Sequence, residues 1–124
     1  MRTVALIARV LLGVIFVVFG LNGFLHFLPM GPLPTGPAMQ YFTALAQTHY
    51  MDVVFAVQLL GGLLVLFNRY VPLGLTILAP VIVNIVLFHA TMAPSGLPLA
   101  ALVTILWVIV FYAHRTAFEG IFRR

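Results

Sequence analysis

Four long runs of apolar residues dominate the sequence and limit what it can fold into. They cover about residues 10–28, 50–67, 71–92 and 97–114, and the second is the shortest because its strictly apolar core is only 53–67. A helix needs about 20 apolar residues to cross the hydrocarbon core of a bilayer, and flanking residues can extend a shorter run. We therefore predict an all-α integral membrane protein whose four transmembrane helices form one domain, residues 1–124.

The composition excludes a water-soluble protein. Hydrophobic residues make up 64% of the chain and charged residues 6%, whereas a soluble domain is about half apolar and about a quarter charged. Ordinary soluble enzymes, disordered regions and nucleic-acid-binding proteins are thereby excluded, and the lipid bilayer is the first expected partner. The chain also has no cysteine, which rules out disulfides, thiolate metal ligands and thiol redox chemistry.

All basic residues are arginines, and they fall on one side of the predicted spans. Two precede the first run, one lies between the second and third, and three follow the fourth: Arg2, Arg9, Arg69, Arg115, Arg123 and Arg124. Because arginine-rich connections stay in the cytoplasm, this pattern predicts that both termini are cytoplasmic. The connections 68–70 and 93–96 are short, which predicts an antiparallel four-helix bundle.

The connection between the first two runs, residues 29–49, is much longer and begins with closely spaced prolines and glycines. This composition predicts an irregular outer loop over its first part. Residues 38–47 regain helical periodicity, with apolar Met39, Phe42, Leu45 and Ala46 beside polar Gln40, Thr43 and Gln47. We expect a short amphipathic helix there, lying on the outer surface of the membrane.

The uncharged polar residues inside the apolar runs are the candidate functional residues, because each is costly in a bilayer unless it has a partner. They are Asn22, His26, Gln58, Asn84 and His89, and they gather in the middle and outer half of the first three runs. If they meet, they form an outward-opening pocket that could bind the head group of a quinone or a lipid. Alternatively, the amides form hydrogen bonds between helices, and the histidines are ordinary interfacial residues.

Two further expectations concern these residues. Asn84 and His89 are five positions apart, so on one helix they should point about 140° away from each other. A metal site would need three or four of His26, His49, Asp52 and His89, and their spacing does not favour one. Asp52 is instead expected in the first turn of the second span, near the positive end of the helix dipole.

No catalytic group is predicted. The only acidic residues, Asp52 and Glu119, lie on opposite sides of the membrane in the predicted topology. They therefore cannot form a carboxylate pair, and no catalytic activity of the protein's own is expected.

Several stretches resemble the DoxX-like family of small membrane proteins. They are ARVLLG (8–13), FGLNG (19–23), QLLGGLL (58–64), APVIVNIVLFH (79–89), PSGLP (94–98) and YAHR (112–115) with Phe118 and Phe122. The resemblance implies the same four-helix fold in a bacterial cytoplasmic (inner) membrane. It departs at Gln58, where such proteins often carry a glutamate, and a glutamine cannot titrate or relay protons.

Some DoxX-like proteins are named as the small membrane subunit of a thiosulfate:quinone oxidoreductase. The resemblance therefore implies a non-catalytic accessory or scaffold subunit, which joins other membrane subunits in a redox or quinone-linked complex. The alternative is a protein that itself binds a quinone or another amphipathic molecule, in an outer pocket with head-group contacts from Asn22, Gln58, Asn84, His89 and His26. A channel or transporter is the third hypothesis, disfavoured for a monomer because the apolar inner half offers no continuous polar path.

Overall fold

The computed structural model describes residues 2–25 and 35–122, and every regular element in these ranges is helical. The α-helices are α1 (Arg2–Leu25), α2 (Pro37–Gln47), α3 (Tyr50–Leu66), α4 (Val71–Thr91) and α5 (Leu97–Ala113). Short 3-10 helices cover Pro94–Gly96 and Arg115–Phe122. The irregular start of the predicted outer loop, His26, Arg123 and Arg124 all lie outside the described residues.

Helix length and composition confirm a multi-pass membrane protein. Three described segments are long and apolar enough to cross a bilayer: Arg2–Leu25, Val71–Thr91 and Pro94–Ala113. Helices α2 and α3 pass the same test only as a pair, and the pair is bent by 87°. The described chain therefore has three candidate spans, or four if this bent pair counts as one.

The first helix begins earlier than predicted, α3, α4 and α5 begin where predicted, and the ends of these three helices differ by one residue. The prediction placed the start of the first span after Arg9 because of that residue's charge. The helix instead begins at Arg2, because no proline or glycine interrupts the chain before Gly13. Helices α3, α4 and α5 each end one residue before the predicted end, at Leu66, Thr91 and Ala113.

Glycines bring the backbones of α1 and α3 together. A Cβ atom added at Gly13 would lie 2.7 Å from Cα of Leu66, and one added at Gly20 would lie 3.0 Å from the backbone nitrogen of Leu59. Side chains larger than hydrogen do not fit at these distances without movement of the helices. These glycines therefore allow the two helices to pack closely.

The adjacent glycines of α3 face two different neighbours. A Cβ atom at Gly62 would lie 2.9 Å from the backbone nitrogen of Val17 in α1, whereas one at Gly61 would lie 2.7 Å from Cγ of Leu78 in α4. Helix α3 thus lies between α1 and α4. Helix α5 packs against α1 and α4 in turn, so each of the four long helices contacts two others.

Two hydrogen bonds from side chains to backbone carbonyls join neighbouring helices. One guanidinium nitrogen of Arg9 in α1 donates to the carbonyls of Val65 (2.7 Å) and Leu66 (2.8 Å) in the last turn of α3. Carbonyls in the last turn of a helix lack the usual partner within that helix, although that of Val65 also accepts from the backbone N–H of Asn68 at 3.3 Å. The positive charge of Arg9 also suits the negative end of the helix dipole. In the other half of the fold, Trp107 Nε1 donates to the carbonyl of Leu75 at 3.0 Å, which joins α5 to α4.

The predicted short helix exists as α2. Of the apolar residues predicted on one face, Phe42 and Leu45 are partly buried against the protein, whereas Met39 and Ala46 are exposed. The side facing the protein carries residues at the spacing of one helix face: Ala38, Tyr41, Phe42 and Leu45. Position 49 then turns the chain into α3, since His49 adopts a left-handed conformation with a φ of 60°.

Candidate functional site

A cavity of about 480 Å³ lies between α2, α3 and α4. Most of its lining is aliphatic or aromatic, and its polar groups come from Tyr41, Tyr50, Gln58, Asn84 and His89. A volume of this size, with apolar walls and a few polar groups, is typical of sites for small organic ligands. Three of the five residues predicted from sequence therefore line one cavity.

Helix α3 places Gln58 at the inner end of the cavity. Gln58 follows Tyr50, the first residue of α3, by eight positions, which corresponds to about 12 Å along the helix axis. The walls between them are aliphatic and include Val54 and Val57. The cavity therefore extends along α3 away from α2, and Gln58, its most buried polar residue, lies at the end far from α2.

Helix α4 contributes two neighbouring rows of side chains. One row consists of Pro80, Asn84 and Phe88, and the other of Val81, Ile85 and His89. Residues four apart lie one above the other on a helix face, so the two rows form a stripe two residues wide. This corrects the expectation that Asn84 and His89 would point away from each other: the stripe is wide enough for both to line the cavity.

The side-chain amide of Gln58 is buried without a partner from the described chain. Gln58 is only 8% exposed, and no hydrogen bond joins its amide to another described residue. Every fully enclosed side-chain nitrogen or oxygen in the described parts of the chain has a partner, so the atoms of this amide remain open to the cavity. A ligand in the cavity could therefore form a hydrogen bond with this amide.

His89 has one ring nitrogen engaged and one available. Nδ1 lies 2.8 Å from the carbonyl oxygen of Ile85, and since a carbonyl can only accept, Nδ1 carries the proton in the neutral ring. Nε2 is then an acceptor, and no described residue donates to it. Gly96 packs beside Cδ2 and Nε2, because a Cβ atom added there would contact both atoms.

Aromatic rings from α2 pack on the end of α4 beside the cavity. The ring centroid of Phe88 lies 5.2 Å from that of Tyr41 and 5.0 Å from that of Phe42. The ring of His89 is edge-on to Phe88 at 5.2 Å. These separations are those of favourable aromatic pairs. They hold α2 against the cavity.

Sequence reasoning missed these aromatic residues. Tyr41, Tyr50 and Phe88 line the cavity, but aromatic residues in a membrane protein are common at interfaces and against lipid, so their type carries little information. The one available signal was periodicity, because Tyr41 lies one helical turn from Leu45 on the buried face of α2.

Two predicted site residues are not placed in the cavity. Asn22 is 5% exposed, but it belongs to α1, which packs on α3 and α5, and it is not among the residues that line the cavity. It already takes part in an interaction within the chain. His26 lies outside the described residues.

Residues that could ligate a metal do not cluster. Within residues 2–25 and 35–122, no three histidine, aspartate or glutamate side chains come together. His49 Nδ1 and Asp52 Oδ2 are 3.3 Å apart at the start of α3, and both side chains are more than half exposed. Asp52 lies in the first turn of α3, as predicted.

No known protein family, curated protein or solved structure matches the chain. The resemblance to DoxX-like proteins therefore stays a prediction that depends on the sequence stretches quoted for it.

Proposed function

We propose that this protein binds an amphipathic small molecule with a polar, ring-shaped head group, of which a quinone is the leading example, in the cavity between α2, α3 and α4. The observation that carries the proposal is the amide of Gln58, which belongs to a residue only 8% exposed, is open to the cavity and has no hydrogen-bond partner in the described chain. A ligand oxygen or hydroxyl would supply its missing hydrogen bond.

The walls of the cavity support the amphipathic character of the ligand. Aliphatic residues of α3 and α4, such as Val57 and Ile85, form most of the surface and suit an apolar tail. Tyr41 and Phe88 provide ring faces and edges for an aromatic head. The polar groups lie at separate points on this surface, so they would orient a head group rather than solvate a charged one.

We further propose how the protein lies in the membrane. In this proposal α1, α3, α4 and α5 cross a bacterial inner membrane as an antiparallel four-helix bundle, and α2 lies along the outer interface. Helix α3 has 17 residues, which is near the lower limit for a span, and the 87° bend suits an interfacial helix followed by a span.

The distribution of arginines supports cytoplasmic termini. Arg9 contacts the last turn of α3, Arg69 follows that turn directly, and Arg115 follows α5. Arginines that flank α1, α3 and α5 thus mark one end of the proposed bundle, which the positive-inside rule places in the cytoplasm. The cavity then opens in the outer half of the membrane.

A ligand-binding protein of this kind needs no catalytic group of its own. The expectation that it serves as an accessory subunit of a larger redox complex stays a prediction. A bound quinone would be compatible with that role, because such a subunit would supply the ligand site.

A binding titration tests the proposal. The probe is a benzoquinone with a decyl tail, titrated calorimetrically into the protein purified in micelles. We expect saturable binding that Gln58→Leu weakens about fivefold, because one neutral hydrogen bond contributes about 1 kcal/mol.

The matched control is Gln47→Leu, which makes the same chemical change at an exposed position of α2 that does not line the cavity. Its affinity should equal that of the wild type. The proposal is wrong if the probe only partitions into the micelle without saturation, or if both variants lose affinity equally.

A further inference from the structure

We propose that His89 makes the cavity selective for a head group that carries a hydroxyl hydrogen, as a phenol or a hydroquinone does, over one that offers only carbonyl or ether oxygens, so that a quinone would bind there less tightly than its reduced form. The inference rests on the proposed function, since it specifies the chemical class of the ligand for the same cavity. It follows from which nitrogen of the His89 imidazole carries the proton.

The other polar groups of the cavity impose no such choice. Gln58 and Asn84 carry amides, and Tyr41 and Tyr50 carry hydroxyls, and each of these groups can both donate and accept a hydrogen bond. They can adapt to a ligand carbonyl as well as to a ligand hydroxyl. Only a group that can accept a hydrogen bond but not donate one distinguishes a ligand hydroxyl from a ligand carbonyl.

His89 is such a group. Its Nδ1–H donates to the carbonyl of Ile85 at 2.8 Å, so Nε2 of the neutral ring can only accept. Rotating the ring by 180° about its Cβ–Cγ bond would exchange Nδ1 with Cδ2 and break this hydrogen bond. It would also change which ring atoms face Phe88, which packs edge-on at 5.2 Å. Close packing against Gly96 further restricts the ring.

The position of His89 suits a ligand that is bound at two points. His89 and Asn84 are separated by about 7.5 Å along the axis of α4, from five residues at about 1.5 Å each. A ring with polar atoms at opposite ends can therefore face the acceptor of His89 at one end and an amide at the other. If the end near His89 lacks a hydrogen, two lone pairs face each other and neither atom is satisfied.

The experiment compares two ligands that differ in whether the ring oxygen carries a hydrogen or a methyl group: an alkylphenol with a nonyl tail and its O-methyl ether. Each is titrated calorimetrically into the protein in micelles under the same conditions. We expect the phenol to bind the wild-type protein about fivefold more tightly than the ether, which corresponds to one neutral hydrogen bond.

Two variants locate the source of this preference. His89→Phe keeps a ring of similar size but has no acceptor. The phenol and the ether should therefore bind this variant equally, and the ether should keep its wild-type affinity. The matched control is His114→Phe. His114 also approaches a carbonyl four residues earlier, with Nδ1 3.0 Å from the oxygen of Val110, but it does not line the cavity, so the preference should persist.

Each outcome bears on a separate claim. Equal binding of the two ligands to the wild-type protein would overturn the selectivity and leave the proposed function standing. Saturable binding of neither ligand would overturn both proposals. A preference for the phenol that persists in His89→Phe would overturn the role of His89, because another group would then be its source. If His89→Phe does not fold, Gly96→Ala replaces it, because its Cβ would displace the ring and should reduce the preference.

Discussion

At the scale of single residues, the protein keeps a polar group where an apolar one would be more stable. Gln58 is 8% exposed, with an amide that no described residue satisfies. A polar group on the wall of a largely apolar cavity lowers stability unless it forms a hydrogen bond. Residues that lower stability in this way are often retained for binding.

This trade-off gives a stability prediction that is separate from binding. In the absence of ligand, Gln58→Leu should raise the free energy of unfolding by about 1 kcal/mol, because it removes the unpaired amide and adds apolar contacts. Unfolding in mixed micelles, followed by circular dichroism, measures the change. A clear loss of stability would mean that the amide already has a partner in the empty protein.

The sequence predicted where along the apolar runs the candidate residues lie, but not which neighbouring helices their side chains face. Polar residues are costly inside apolar runs, and this alone singled out Gln58, Asn84 and His89. The same criterion selected Asn22, which does not line the cavity. Which residues meet depends on which helices are neighbours, and hydropathy carries no information about that.

At the scale of helices, contact between backbones holds α1 and α3 together. The closest approach is at Gly13, where an added Cβ would lie 2.7 Å from both Cα and Cβ of Leu66. Because Cα belongs to the backbone, Leu66 cannot avoid the clash by changing its rotamer. The two helices would have to separate.

Gly13→Ala should therefore lower the free energy of unfolding by about 1–3 kcal/mol, the usual cost of overpacking. Gly120→Ala is the control, because an added Cβ there meets no atom within 4 Å. Unfolding of both variants under the same micelle conditions tests this. Equal stabilities would show that α1 and α3 are not in close contact in the membrane.

Helix boundaries were largely predictable, but the orientation of α2 was not. Runs of apolar residues ended within one residue of α3, α4 and α5, because prolines and polar turns follow them. The predicted apolar face of α2 is divided, because Phe42 and Leu45 pack toward the protein whereas Met39 and Ala46 are exposed. A helix at a membrane interface can turn its apolar residues either toward lipid or toward the protein. Its hydrophobic pattern therefore does not show which side faces the protein.

At the scale of the whole molecule, the proposed topology places the cavity and the arginines at opposite ends. The natural absence of cysteine allows each connection to be labelled by itself. In intact cells, a membrane-impermeant maleimide should react with Ser95→Cys, which lies between α4 and α5. It should react with Asn68→Cys, between α3 and α4, only after the membrane is opened.

The pair of variants is internally controlled, since both positions are exposed and lie outside the α-helices. Labelling of both positions, or the reverse pattern, would contradict cytoplasmic termini.

The central claim is that the cavity between α2, α3 and α4 is a ligand site, and photocrosslinking tests it most directly. A benzoquinone with a diazirine in its decyl tail is irradiated with the purified protein, and fragmentation of the intact protein locates the adducts. We predict adducts within α3 and α4, at residues that line the cavity such as Val57 and Ile85, and their loss when excess unmodified benzoquinone is added. Adducts that fall mainly in α1 or α5, or that survive the competition, would contradict the claim.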